Sequence, residues 1–445
     1  LKYAYVALLG AWLVYRAATQ SITHDEALTY EWFVAGSWHG VSTQYNANHH
    51  ILHTILVKLC VQFFGLSKIT LRLPAVIGGI LYATGCARLT TRHLGSAKWG
   101  WTTLTLLTLN PFVVDFLVAS RGYALALAFL IWHIDELLRG HTTRASLLAG
   151  LAVSANLTFL VGVAATSLAR LLLDRTRVVS TGVRMALPAI AVFAIICGAT
   201  IVHAQASDFF VGTATLIETA NELANVSFRH GVRNWLPLAL PAIAIAVVCA
   251  IVAATKHGAP LSRFFGLALV LCIIVLAAAN LVGGVRYPAA RTGLYLVVLG
   301  TLFFASGAAA IGRNIFIVPL MAIVAVYAAQ FEGSYFRAWR YDAATERMFD
   351  TMREISPRGR ICSDWIYEPT LNFYRILRHA GTFDPIKRDV NDRCDFVLIN
   401  TREDFIGARQ HFIGLHNDPF FSQNRFVEIS RDELSGSVLY AKERR

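Results

Sequence analysis

Asp25 and Glu26 stand side by side a few residues past the first apolar segment. Only ten Asp or Glu fall in the first 330 residues, so their adjacency is not a by-product of an acidic composition. An ionised group beside apolar helices needs water, a cavity or a partner, which makes the pair a candidate site. Thr23-x-x-Glu26 also fits a capping box, in which the Thr hydroxyl and the Glu carboxylate serve the first free amides of a helix. That role accounts for Glu26. A helix N-terminus tolerates Asp25 but does not require it.

Cations and imidazoles recur in the segments expected on the same side of a membrane. They are His49, His50 and Lys58, then Arg121 near Asp115, then Arg229, His230 and Arg233, then Arg286, Tyr287 and Arg291. Lys68, Arg72 and Arg16 fit interfacial anchors that extend to lipid headgroups. Arg286 and Arg291 instead flank a Pro-broken turn, and guanidinium forks suit phosphate. An acid with several cations suits one reaction in particular. Arg and His hold a lipid-linked phosphate while a carboxylate deprotonates the acceptor hydroxyl that attacks the sugar carbon. The cations then stabilise the departing phosphate, so one base is enough. His49 and His53 share a helix face and give a weak option for a divalent metal, but the spacing matches no zinc motif. No other cofactor is expected. No Gly-rich phosphate loop is present, which argues against nucleotide binding.

These residues sit in a chain of 445 residues that is 56% apolar and only 15% charged, well below the roughly 25% charge of soluble domains. The composition is that of a polytopic α-helical membrane protein. Apolar segments of about the ~20 residues that cross a bilayer are read at 2–19, 72–93, 98–117, 121–139, 145–158, 159–173, 185–204, 235–254, 263–283, 292–311 and 312–330. That is about 11 transmembrane helices, with the stretch 145–173 read as two because Asn156-Leu-Thr158 interrupts it. No basic leader with a small-residue cleavage site is seen, so the first helix is expected to direct insertion.

The net charge of +12 lies wholly in residues 1–330, which hold 22 basic and ten acidic residues, against 18 of each in 331–445. Confined to short loops, the excess points to topology and anionic lipid rather than nucleic acid. One side receives Arg88, Arg92, Lys98, Arg139, Arg144, Arg170, Arg175, Arg177, Arg184, Lys256, Arg263 and Arg313, and reads as cytoplasmic. The acid pair, the 205–234 loop, Arg286 to Arg291 and the tail then face outward. Residues 1–330 form the membrane domain, with 20–71 as a long first outer loop carrying interfacial helices at 25–35 and 48–64. Pro74 is placed near the first turn of the next helix. Residues 331–445 form a small outer α/β domain: a helix over 336–355, strands at 360–364, 395–400, 425–430 and 437–441, and a helix at 368–379. Cys362 and Cys394 lie at or beside two of these strands and form a candidate disulfide. Cys60, Cys86, Cys197, Cys249 and Cys272 read as packing residues.

The pattern resembles the GT-C superfamily of integral-membrane glycosyltransferases, nearest the protein O-mannosyltransferase and aminoarabinose-transferase branch. The likeness rests on His24-Asp25-Glu26-Ala27-Leu28, Asn46-Ala-Asn-His-His-Ile-Leu-His53, Leu71-Arg-Leu-Pro-Ala75, Ala119-Ser-Arg-Gly-Tyr-Ala-Leu125 and Arg286-Tyr-Pro-Ala-Ala-Arg-Thr292, in that order over residues 1–330. Where aminoarabinose transferases carry a Lys-Pro-Pro-type stretch, this chain has Asn48-His49-His50. The resemblance implies a polyprenyl-phosphate-linked sugar donor and transfer to a glycan, lipid or protein acceptor on the outer, periplasmic face of the inner membrane. It implies Asp25 as general base with Glu26 as helper or cap, and Arg121, Arg286 and Arg291 as phosphate contacts. Two alternatives stand beside it: a non-catalytic subunit of the same fold, and a transporter, which would place charges at mid-bilayer on broken helices.

Overall fold

The computed structural model describes every residue except 95, 175–177, 206–207, 209–211, 231–232, 256–258, 313, 403–418 and 444–445, and leaves out the side chains of 229, 230, 233, 419 and 420. The expected anchors Arg175, Arg177, Lys256 and Arg313 therefore lie outside the described residues.

Helices come first and in number. The chain opens with α1 (Lys2–Thr19), α2 (His24–Thr29, continued as a π-helix over Tyr30–Val34), α3 (Trp38–Thr43) and α4 (Ile51–Phe64). Then follow α5 (Lys68–His93), α6 (Ala97–Leu109), α7 (Pro111–Phe116), α8 (Tyr123–Leu138), α9 (Thr142–Ala155) and α10 (Leu160–Leu173). The set continues with α11 (Val178–Ile201), α12 (Leu216–Phe228), α13 (Leu236–Thr255), α14 (Pro260–Gly283), α15 (Leu294–Ile311) and α16 (Ile317–Ala329). Among the described residues, five helices are long and apolar enough to cross a membrane: α5, α11, α13, α14 and Ala290–Ile311, which contains α15. The chain is thus an integral, multi-pass membrane protein.

Several expected spans are shorter than the sequence suggests, each for a local reason. The stretch 98–117 breaks at Asn110, whose side chain accepts hydrogen bonds from the amides of Phe112 and Val113 and starts α7 with Pro111 in its first turn. The interruption at Asn156 is present. Its Oδ1 accepts from the amide and hydroxyl of Thr158 at 3.0 and 2.8 Å, ending α9 and opening a 3-10 turn before α10. Pro74 lies inside α5 rather than in its first turn, because the helix already starts at Lys68. There Ser67 and Thr70 bond reciprocally through their side chains and amides.

The chain divides into two compact units. The first comprises Leu1–Tyr15, Trp38–Val57 and Arg72–Glu332. Within it α8 packs on α9, α9 on α11, α10 on α14 and α13 on α15. Small residues permit a close crossing: a Cβ on Gly307 of α15 would lie 2.3 Å from the Ala250 Cα of α13. Close backbone approach through small side chains is how apolar helices gain packing energy in lipid.

The second unit comprises Arg16–Ser37, Lys58–Leu71 and Gly333–Arg445. Its sheet has the order β3-β4-β6-β5, built from β3 (Ile361–Ser363), β4 (Phe396–Asn400), β5 (Phe426–Asp432) and β6 (Ser437–Lys442), whose numbers follow a two-residue hairpin of β1 (Arg229–His230) and β2 (Arg233–Asn234) in the first unit. β3 and β4 are parallel and the other two pairings antiparallel. Helix α18 (Glu368–Leu377) follows β3, as a parallel crossover requires. The expected helix over 336–355 is two pieces. A 3-10 segment over Arg337–Ala344 departs from helical angles at Trp339, and α17 (Thr345–Ile355) follows. Cys362 on β3 is disulfide-bonded to Cys394, closing a sequence separation of 32 residues.

The edge strand β3 has only three residues, so this cross-link is expected to matter. Replacing Cys362 and Cys394 together by Ser should lower the stability of this unit by about 2–4 kcal/mol, from loop-closure entropy. Thermal unfolding of the full chain checks this, and an unchanged transition would refute it.

Candidate functional site

In the helical unit a cavity of about 240 Å³ gathers four of the expected residues: His49, His50, Arg286 and Arg291. Local structure places each. Asn46 Oδ1 accepts from the Asn48 amide at 2.8 Å, a turn that sets the two histidines just before α4. His49 Nδ1 is then 2.9 Å from the Gln44 carbonyl, and the His50 ring meets the edge of Tyr123 at 5.1 Å between centroids. Arg286 and Arg291 bracket the turn between α14 and α15. Its backbone is pinned where Tyr287 exchanges two hydrogen bonds with Thr213, at 2.9 and 3.1 Å. Gly212 is required beside this bridge, since a Cβ would come within 2.4 Å of Arg286 Cβ.

Other expected residues stand off the cavity. Arg121 is buried and donates from Nη2 to Asn48 Oδ1 at 2.9 Å, so it supports the histidine turn. His53 Nε2 lies 3.1 Å from Ser120 Oγ. Tyr287 contributes its backbone, and its side chain does not line the cavity. Among the described residues no group of three or more His, Cys, Asp or Glu is placed to hold a metal.

Three polar residues of the cavity matter here beyond those expected from the sequence. Asn156 and Tyr295 are 2% and 1% exposed, yet Asn156 Nδ2 and the Tyr295 hydroxyl have no hydrogen-bond partner among the described residues. His50 Nε2 is in the same state. A buried polar atom without a partner is costly. Three of them around one cavity therefore mark a place where a polar ligand fits. Asp208 is the third addition and, among the described residues, the one acid in the lining. The helix break at Asn156 was the signal available in advance.

Electrostatics keep the imidazoles neutral. Burial depresses His49 to about 4. Burial, followed by the charges of Arg121, His53 and Arg291, pushes His50 well below the ordinary range. A neutral imidazole donates one hydrogen bond without adding charge; His49 gives its own to the Gln44 carbonyl, and the two arginines supply the positive field.

In the second unit Asp25 and Glu26 open α2 and are both buried. The capping box is present: Thr23 Oγ1 accepts from the Glu26 amide at 3.3 Å and the Thr23 amide donates to Glu26 Oε2 at 2.9 Å. The helix is held further at each end. His24 N donates to Asp342 Oδ2 at 2.6 Å, and Ile22 N to the Tyr374 hydroxyl at 2.7 Å. At the other end Lys58 Nζ donates to the carbonyls of Phe33, Val34 and Gly36 at 3.1, 2.9 and 2.5 Å. Asp342 is a third carboxyl next to the pair. Burial, reinforced by the charges of Asp25 and Glu26, raises its pKa well above the carboxylate range against hydrogen bonds from His24 and Thr370. Arg229, His230 and Arg233 contribute paired backbone in β1 and β2, and their side chains lie outside the description.

No protein-family model matches the sequence, and no curated protein matches it. Among solved structures, the whole chain aligns with 40% of the arabinofuranosyltransferase AftD from mycobacteria, at 12% identity and a TM-score of 0.53. ArnT from Cupriavidus metallidurans, bound to undecaprenyl phosphate, is covered over 97% of its length by 99% of this chain, at 14% identity and a TM-score of 0.40. The arabinosyltransferase EmbB from Mycobacterium smegmatis aligns over 69% of this chain and 30% of its own, at 14% identity and a TM-score of 0.43. The chain spans less than half the length of AftD, and the likeness to AftD is one of fold alone.

Two expectations follow from the cavity. Gly122 has the Ala155 carbonyl where a Cβ would go, with His50 Cβ 2.8 Å from that position. Gly122→Ala should therefore displace the histidine turn and lower stability by about 1–3 kcal/mol, as overpacking does. Thermal unfolding reads the loss, and a wild-type transition would refute it. His49, depressed to about 4 from 6.5, stabilises the fold above pH 6.5 and loses that contribution as pH falls towards 4. The acid-side decline in melting temperature should be shallower in His49→Gln.

Proposed function

We propose that this chain, whose fold is that of the GT-C glycosyltransferases, moves a monosaccharide from a polyprenyl-phosphate donor to an acceptor hydroxyl. The observation that carries the reading is the cavity in the helical unit. It joins two arginines, the imidazole of His50, and buried donors on Asn156 and Tyr295 that have no partner among the described residues. This is a donor-rich lining, as a phosphate with a sugar attached requires. Arg286 and Arg291 hold the phosphate and stabilise the charge that develops as the C–O bond to the sugar breaks. Asp25 takes the proton of the acceptor hydroxyl, while Glu26, occupied by its cap, keeps α2 in place. Eleven crossings and a periplasmic tail and active site complete the reading, with the chain in the inner membrane.

A membrane assay with a panel of polyprenyl-phosphate sugars tests it. Asp25→Asn should lower transfer by about 10²–10⁴-fold, the range of a general base, with donor binding kept. Full activity in that variant would remove the base assignment. Transfer from no donor in the panel would overturn the reading. For topology, Leu434 is 41% exposed, and Leu434→Cys should react with an impermeant maleimide from the outside only.

A further inference from the structure

The cavity that holds His49 and His50 contains one group that a phosphate does not call for. Asp208 lines it together with Arg286 and Arg291. An ionised carboxylate accepts hydrogen bonds and donates none, and its charge repels a phosphate. Two ordinary roles would account for an acid there: an ion pair with a neighbouring cation, or a place in a local turn.

The ion pair is not formed. Among the described residues Asp208 makes none, and neither does Arg286, although both line the same space. Backbone contacts hold the arginine turn instead, through the Thr213–Tyr287 bridge and through Gly212 against Arg286 Cβ. The local turn is present but occupies one oxygen. The Gln205 amide donates to Asp208 Oδ2 at 2.8 Å, and Oδ1 has no hydrogen-bond partner among the described residues.

Tyr45 is the neighbour of this carboxylate. It lines the same cavity, and its ring lies 6.4 Å from that of His49. Burial, and after it the charge of Asp208, raise the pKa of the Tyr45 hydroxyl, as a nearby like charge does. Independently of the acid, Asn156, Tyr295 and His50 each bring a buried polar atom with no partner among the described residues, so a polar ligand belongs here.

The lining thus offers cations and neutral polar groups together with one acceptor that cannot donate. A polyprenyl-phosphate sugar has three parts to set against it. The prenyl chain has no polar hydrogen, and the ionised phosphate diester only accepts. The sugar alone carries O–H groups to give to a carboxylate. From this we propose a sugar subsite within the cavity, in which Asp208 accepts a hydrogen bond from a hydroxyl of the transferred sugar and Tyr45 walls the ring, while the phosphate is held at Arg286. The subsite rests on the function proposed above and adds to it the group that selects the sugar. A site built to bond a substrate hydroxyl rejects a ligand that lacks it.

The probes are bare polyprenyl phosphate and the same lipid carrying glucose, mannose or arabinose, titrated against the purified full-length protein in neutral detergent with melting temperature as readout. Wild-type protein should bind the bare lipid and at least one sugar-bearing lipid. Asp208→Ala should bind the sugar-bearing lipid about tenfold or more weakly, the loss expected for a hydrogen bond to a charged acceptor. It should hold the bare lipid no less tightly than wild type, because a repelling charge is gone. Asp208→Asn keeps an acceptor for the Gln205 amide; it should show the same pattern to a smaller degree, and it decides the matter if the alanine variant does not fold. Arg286→Gln should weaken both kinds of lipid alike. Wild-type protein that binds none of the probes overturns the proposed function and the subsite together. Wild-type protein that binds only the bare lipid, or Asp208 variants that leave both kinds unchanged or weaken them equally, overturn the subsite alone.

Discussion

Ionised groups are expensive inside an apolar bundle, and that cost organises the helical unit. The middle turns of α8, α10, α13, α14 and α15 carry no Asp, Glu, Lys or Arg. Charge appears only near their ends: Asp135 and Glu136 in α8, Arg170 in α10, Arg263 in α14, and Arg286 with Arg291 in the turn before α15. Polar chemistry is thereby confined to two ends, and each end has a cavity. The one holding His49 and His50 draws its charge from Arg286 and Arg291 and adds neutral polar groups to it.

Breaks in the helices do the fine positioning. Asn110 and Asn156 each spend a side-chain oxygen on the amides that follow, so a helix can stop inside apolar surroundings without leaving those donors unpaired. Asn156 also lines the first cavity, so one residue both ends a helix and belongs to the candidate site. Gly122 permits the backbone of α9 and the His50 side chain to meet at that place, where any Cβ would separate them.

The acid pair depends on a different arrangement. α2 is short, and a helix of six residues has little stability of its own. It is held by its cap at one end and by Lys58 on its trailing carbonyls at the other. Asp342, whose pKa burial raises well above the carboxylate range, accepts from the His24 amide beside Asp25. A clamp made from residues hundreds of positions apart fixes the backbone that carries the pair, which is how a carboxylate on a short segment acquires a defined direction.

Much was legible in the residues alone. Hydropathy identified the long apolar helices, the Thr23-x-x-Glu26 spacing announced the capping box, and Asn156 announced the break, because each is set by interactions within a few residues. The strands of the tail were legible for the same reason, as short apolar runs between turns. The fold then decided what local spacing does not encode. It showed that Pro74 lies inside a helix, that Arg121 supports a turn instead of lining the cavity, and that Asn156, Tyr295 and Asp208 belong with His50. It also set Asp342 and Lys58 at the two ends of α2. Those assignments depend on contacts between segments far apart in the chain, where burial and pairing are settled by packing, and no periodicity in the sequence carries that information.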